Sequence, residues 1–204
     1  NSANLTYENE SGALNESFAD IFGAMIDRED WKMGEDVVVK AYFPSGALRD
    51  LSNPHNGASQ GNYAWQPNHV NEQYKGTEDN GGVHINSGIT NYAYYLFVQE
   101  IAKNMSEEQA KIIAEKVYYR ALTNYLTRSS KFLDLRASIE QSCKDLYSSN
   151  ANVLAAAQSA FSKVGIGGGG STGGGNYQKD LSPNPGKEYI VCTDQNLEGV
   201  YLVD

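Results

Sequence analysis

Asn9–Asp27 reads NESGALNESFADIFGAMID. Leu14, Phe18, Ile21, Phe22 and Met25 recur at spacings of three, four and seven, the period of a helix with one apolar stripe. A helix from about Ala13 to Asp27 is expected, with Ser11 as a candidate N-cap. On it Glu16, Asp20, Gly23 and Asp27 share a second face. Like charges one turn apart repel mildly, and nothing positive stands near them in sequence. Solvent, a counter-charge from elsewhere in the fold, or a metal must offset them. An ordinary solvated face is one reading, and a carboxylate ligand for a cation is the other. Gly23 would let another segment approach closely, at a cost of about 1 kcal/mol relative to Ala in a helix interior.

Downstream the pattern changes. Residues 28–80 carry Pro44, Pro54 and Pro67, scattered glycines and many Asn. They form a long loop region whose one strand-like piece is Val37–Phe43. Loops of this length are functional or need a staple such as a bound ion. A second helix is expected from about Ser87 to Ala102. A third opens at Ser106, with Gln109 at the capping-box position. A fourth spans about Lys131 to Tyr147, and a fifth Ala151 to Lys163, closed by Gly165. The fold class is mainly α: a bundle of about five helices with a long structured loop region. Residues 1–165 form the helical domain. Gly-rich residues 166–175 read as a flexible linker, natural or introduced. Residues 176–204 are a short tail or the truncated start of a further domain, with strand-like pieces at Tyr189–Cys192 and Gly199–Val203.

With 204 residues, 40% of them hydrophobic, the chain can bury a real core. Its net charge of −9 argues against nucleic acid and anionic membranes as partners, and makes cations plausible ones. No apolar run reaches membrane-spanning length. Two cysteines, Cys143 and Cys192, are too few for a disulfide framework and leave their pairing open. The polar Asn-Ser start without Met suggests a processed product or a fragment.

The three histidines, His55, His69 and His84, do not stand one turn apart, and H-E-x-x-H is absent. A complete zinc site of that kind cannot be read from the chain. His84 sits in DNGGVHINSG, Asp79–Gly88, at a helix entrance. There it is either placed to donate to developing negative charge or incidental to a cap loop. Asp79 is placed to orient its ring. His55 and His69 read as surface residues. Arg49, in SGALRDLSNP, is a bidentate donor to carbonyl or carboxylate oxygens, or else a bracing ion pair. Asp27, Glu29, Asp30, Glu35 and Asp36 cluster around a turn, as a calcium site or a solvated acidic surface.

Together NESGALNESFADIFG, SGALRDLSNP and DNGGVHINSG resemble, in order and spacing, three stretches of the C-terminal domain of the thermolysin-like zinc metalloendopeptidases. The likeness covers about Leu5 to Gly165. It implies that Glu16 is the zinc ligand from outside the H-E-x-x-H helix, and that Asp20 is the carboxylate behind a ligating His. It implies that Tyr7 and His84 steady the oxyanion, with Asp79 supporting His84, and that Arg49 holds a substrate carbonyl. Asp27, Asp30 and Glu35 fall at or near calcium-ligand positions. Lys32 stands where the family often carries a calcium-binding acid, so at most one calcium is expected.

The resemblance further implies secretion, peptide-bond hydrolysis preferentially before bulky apolar residues, and a partner: the N-terminal protease domain, which carries both zinc-binding histidines and the general base. Polypeptides are the implied substrates, and the isolated chain is expected to be inactive. The alternative is a non-catalytic binding or structural module derived from such a protease. Self-association through an exposed cleft face, around Leu14 and Phe18, is also expected.

Overall fold

A computed structural model describes residues 2–39, 41–43, 45–57, 62 and 64–167, together with the backbone of 190–193 and 200–203. Five helices carry the first unit, residues Asn1–Gly169: α1 (Asn9–Ile26), α2 (Glu78–Ala102), α3 (Glu107–Asn124), α4 (Phe132–Tyr147) and α5 (Ala151–Lys163). Each of α3 to α5 packs on its successor or predecessor, and α1 lies chiefly along α2. Two-residue strands β1 (Lys32–Met33) and β2 (Arg49–Asp50) pair antiparallel. The second unit, Gly170–Asp204, contains strands β3 (Ile190–Thr193) and β4 (Val200–Val203), also antiparallel. The rest of the expected linker and tail lies outside the described residues. Among the described residues no helix is long and apolar enough to cross a membrane.

The apolar stripe of α1 faces inward. Leu14, Phe18 and Ile21 enter one core with Tyr94, Phe97 and Val98 of α2, Val117 and Tyr118 of α3, Leu135 and Ile139 of α4, and Phe161 of α5. Tyr118 is the aromatic centre, edge-on to Tyr94 with ring centroids 4.9 Å apart and tilted against Phe18 at 6.0 Å. Burial of this kind yields about 1.5–3 kcal/mol per large side chain. It also corrects one expectation. Leu14 and Phe18 are core residues, 0% and 5% exposed, and offer no sticky face.

The caps show what local chemistry fixed. Ser106 and Gln109 form the reciprocal capping box expected of α3. Gly165 adopts φ +80° after α5, and the Ile166 amide turns back to the Phe161 carbonyl. At α1 the cap is Glu8 rather than Ser11, whose hydroxyl instead donates to the Ser130 carbonyl at 2.7 Å. No strand forms among the described residues of 37–43, because nothing pairs with that piece. Gly23 is a point of close approach: a Cβ there would lie 2.5 Å from Met33 Cε of β1.

The start of α2 differs most from expectation. Asp79, Asn80, Gly81 and Gly82 all have positive φ, between 51° and 82°, and form a left-handed turn fused to the helix. Left-handed backbone costs roughly 1–2 kcal/mol at a residue with a side chain, least for Asp and Asn, and glycine adopts it freely. The sequence DNGG therefore suits four such residues in a row. Regular helix begins at Val83, so His84 stands in the first turn rather than in a preceding loop.

Candidate functional site

The left-handed turn brings Asp79 onto His84 at two points. One carboxylate oxygen accepts the His84 backbone N–H at 2.8 Å, and the other lies 2.6 Å from ring Nδ1. The far nitrogen, Nε2, is 3.0 Å from the Tyr7 hydroxyl and 3.4 Å from Glu16 Oε2. The Tyr7 hydroxyl donates to Glu16 Oε1 at 2.5 Å. Tyr7, Glu16, His84 and Asp79 thus come together from three places in the chain: the entry to α1, its second turn, and the head of α2. The phenol and imidazole remain open to solvent, Tyr7 at 43% and the His84 side chain at 47%. Partial burial, then the Glu16 hydrogen bond, push the Tyr7 phenol up to about 12. It is therefore a proton-bearing donor at neutral pH. Its single proton goes to Glu16, so a bond between its oxygen and His84 Nε2 requires a proton on that nitrogen.

One turn along α1, Asp20 is almost fully buried and is no part of a solvated face. Arg49 Nη1 donates to Oδ1 at 3.0 Å, and Asn91 Nδ2 donates to Oδ2 at 2.9 Å. Burial raises the Asp20 carboxyl above its usual range and outweighs the Arg49 charge and the Asn91 bond, which lower it. The counter-charge that α1 lacks locally therefore arrives from β2. Arg49 also faces a cavity of about 370 Å³ lined by Leu48, Gln66, Asp79, His84 and Ile85. The bracing ion pair and the cleft-facing donor are the same residue.

The acidic turn is another matter. Asp27 and Asp30 are exposed, and the Asp30 carboxylate accepts the Lys32 backbone N–H at 2.7 Å. Among the described residues no three His, Cys, Asp or Glu side chains gather where they could hold a metal. Asp27, Asp30 and Glu35 form no such group among the described residues. Organic cations brace this corner. Arg28 pairs with Glu108 and Glu115 of α3, and Lys111 Nζ donates to the Arg28 carbonyl at 3.2 Å while lying over the Trp31 ring. For zinc the same test gives a partial fit. Glu16 offers one carboxylate, its side chain 19% exposed, beside two proton donors, a single ligand of the three that a catalytic site needs.

His55 and His69 are half-buried rather than plain surface residues. His55 lies 2.8 Å from Glu72 and stacks on Trp65, and His69 Nδ1 accepts the Asn71 amide. Among the described residues Cys143 has no disulfide partner; it is buried, and burial pushes its thiol up to about 12.

Two further residues touch the site. Asn91 follows His84 by seven, so the face rule applied to α1 would have found it on α2. Gln66 comes from the irregular loop, where no periodicity points to it.

The helical domain thus presents a carboxylate, a phenol and an imidazole together on one face, beside a cavity that Arg49 lines. Residues 3–166 match the family described as thermolysin metallopeptidase, alpha-helical domain, and the chain belongs to that family. It is 43% identical over 173 residues to a bacillolysin of Brevibacillus brevis, covering 80% of this chain and 30% of that protein. It is 47% identical over 148 residues to an extracellular elastase of Staphylococcus epidermidis, covering 71% of this chain and 25% of that protein. In three dimensions it resembles the precursor of protealysin, a metalloproteinase from Serratia proteamaculans, with a TM-score of 0.67 and 27% identity. That likeness covers 81% of this chain and 52% of that one. The chain thus spans less than a third of the first two relatives, which extend well beyond this domain.

Proposed function

We propose that the domain is the C-terminal wall of a secreted zinc metalloendopeptidase cleft, completed by an N-terminal domain that carries the H-E-x-x-H helix. The observation that carries this reading is the convergence of Tyr7, Glu16 and His84 within 2.5–3.4 Å of one another on an open face.

In this reading Glu16 is the carboxylate ligand this chain contributes. The zinc, when bound, polarises the peptide carbonyl and lowers the pKa of a water. Every other duty of this chain is organic. Tyr7, protonated at neutral pH, swings its one O–H from Glu16 to the oxyanion of the tetrahedral intermediate, and His84 donates from the other side through Nε2–H. Asp79 holds the ring at Nδ1 and so fixes which nitrogen faces the substrate. Arg49, anchored by Asp20, directs its remaining donors at a substrate carbonyl. The cavity beside it receives an apolar side chain against Leu48 and Ile85. The isolated chain lacks both zinc-binding histidines and the base, and it does not hydrolyse peptides.

With zinc and calcium present, the 204-residue chain should leave casein intact. Joined to an H-E-x-x-H half from a complete protease of this family, it should cleave casein. Glu16→Gln in that assembly should lower kcat/KM at least about a hundredfold. Cleavage by the purified chain alone that disappears in Glu16→Gln would overturn the proposal.

A further inference from the structure

The irregular loop between β2 and α2 meets the His84 turn twice: Tyr74 exchanges two hydrogen bonds with Asn86, and a buried amide, that of Gln66, reaches the His84 carbonyl itself. Gln66 is 2% exposed. Its backbone N–H donates to the Pro54 carbonyl at 3.1 Å, which fixes it to its own loop. Its side-chain Nε2 donates to the His84 carbonyl at 2.7 Å and to the Ser87 hydroxyl at 3.0 Å. The helix leaves room for this contact. At Gly88 a Cβ would lie 2.5 Å from Gln66 Cβ and 2.7 Å from the Pro67 carbonyl oxygen.

The loop is clasped on the far side of Gln66. His55 stacks on Trp65 with ring centroids 5.0 Å apart and planes 12° apart, and its Nε2 lies 2.8 Å from Glu72 Oε2. The same oxygen accepts the Asn68 backbone N–H at 3.1 Å. The clasp therefore closes over 55–72 and holds Trp65, Gln66's immediate neighbour. An apolar side chain of similar length would fill the Gln66 site without burying an amide. The amide adds a directional tie from a braced loop to the turn that carries the imidazole.

We propose that Gln66 is a positioning residue: it couples the His55–Trp65–Glu72 clasp to the His84 turn, and so sets the imidazole against Tyr7 and Glu16. The consequence for catalysis rests on the cleft reading above, but the coupling itself does not, and it is measurable in the 204-residue chain. The readout is hydrogen exchange of the backbone amides from His84 to Gly88. Gln66→Met, which keeps the length and removes both donors, should speed exchange there about tenfold while the far-UV spectrum stays native. Glu72→Ala should speed the same amides in the wild-type background and add clearly less in Gln66→Met, because the route through Gln66 is already cut and only the Tyr74–Asn86 bonds remain.

Unchanged exchange in Gln66→Met would overturn the proposal, as would fully additive effects of the two substitutions. If Gln66→Met does not reach the native spectrum, Gln66→Asn, whose amide falls one methylene short, must give the same acceleration. Loss of the fold in both would make Gln66 a stability residue only, and would equally overturn the proposal. Normal coupling in a chain that fails to complete a protease would instead count against the cleft reading alone.

Discussion

At Gly12 the site and the core compete for one small volume. A Cβ there would lie 2.4 Å from Val83 Cγ1 and 3.0 Å from the Tyr7 carbonyl carbon. Glycine is what lets the head of α2 and the entry to α1 close on each other, which is how Tyr7 meets His84. Gly12→Ala should cost about 1–3 kcal/mol, the usual range for overpacking. Its thermal midpoint should fall by about 2–4 °C for each kcal/mol lost, as calorimetry would read. At this scale the sequence was informative where chemistry is local or periodic. Glu16 and Asp20 were visible because they repeat on one helix face. The pairing of Asp20 with Arg49 and Asn91 was not, because they reach it from 29 and 71 residues away. Solvated face and ligand face look alike until those partners are placed. Asp20 was neither, being buried against a guanidinium.

Helices were legible as elements when their caps used common chemistry. The α3 capping box and the glycine after α5 are short-range patterns with a direct hydrogen-bond purpose. The start of α2 was read as a loop because Asp, Asn and Gly favour turns. Only the dihedrals reveal that the four residues continue into helix with inverted hand. The β-branched run of Val37–Phe43 promised a strand that no partner completes among the described residues, whereas β1 and β2 are too short for any pattern to announce.

Helix α4 is tied to α3 by Asp145, which accepts from Tyr125, from Arg120 Nε at 2.8 Å and from Gln141 at 2.8 Å. These bonds, Tyr125 first, lower the Asp145 carboxyl from 3.8 to about 2. A depressed folded-state pKa means that the ionised form favours the fold. The contribution is complete above pH 3.8, shrinks below it, and is lost as pH falls through about 2. Asp145→Asn should therefore lower the urea midpoint at pH 7. Its gap from wild type should narrow steadily between pH 4 and pH 2, and a gap independent of pH would contradict this.

At the scale of the whole molecule, the mainly helical class followed from periodicity in five separate segments, and the structure agrees. What periodicity could not reveal is how the helices close on the chain's first residues. Ala3 and Leu5 are buried in the common core. Thr6 N–H donates to the Arg128 carbonyl at 2.9 Å, Ser11 donates to the Ser130 carbonyl, and Glu10 accepts the Phe132 amide at 2.9 Å. The strand of chain that delivers Tyr7 is thus pinned to the corner between α3 and α4. Synthesis proceeds from the N-terminal side, so Tyr7 is made before the corner that holds it. A nascent chain leaving the ribosome has made Tyr7, Glu16 and His84 long before it has made the corner that holds the phenol in register. Assembly of the chemical face must wait for residues near 132 to emerge, so a nascent chain that stops short of them carries all three groups and no organised site.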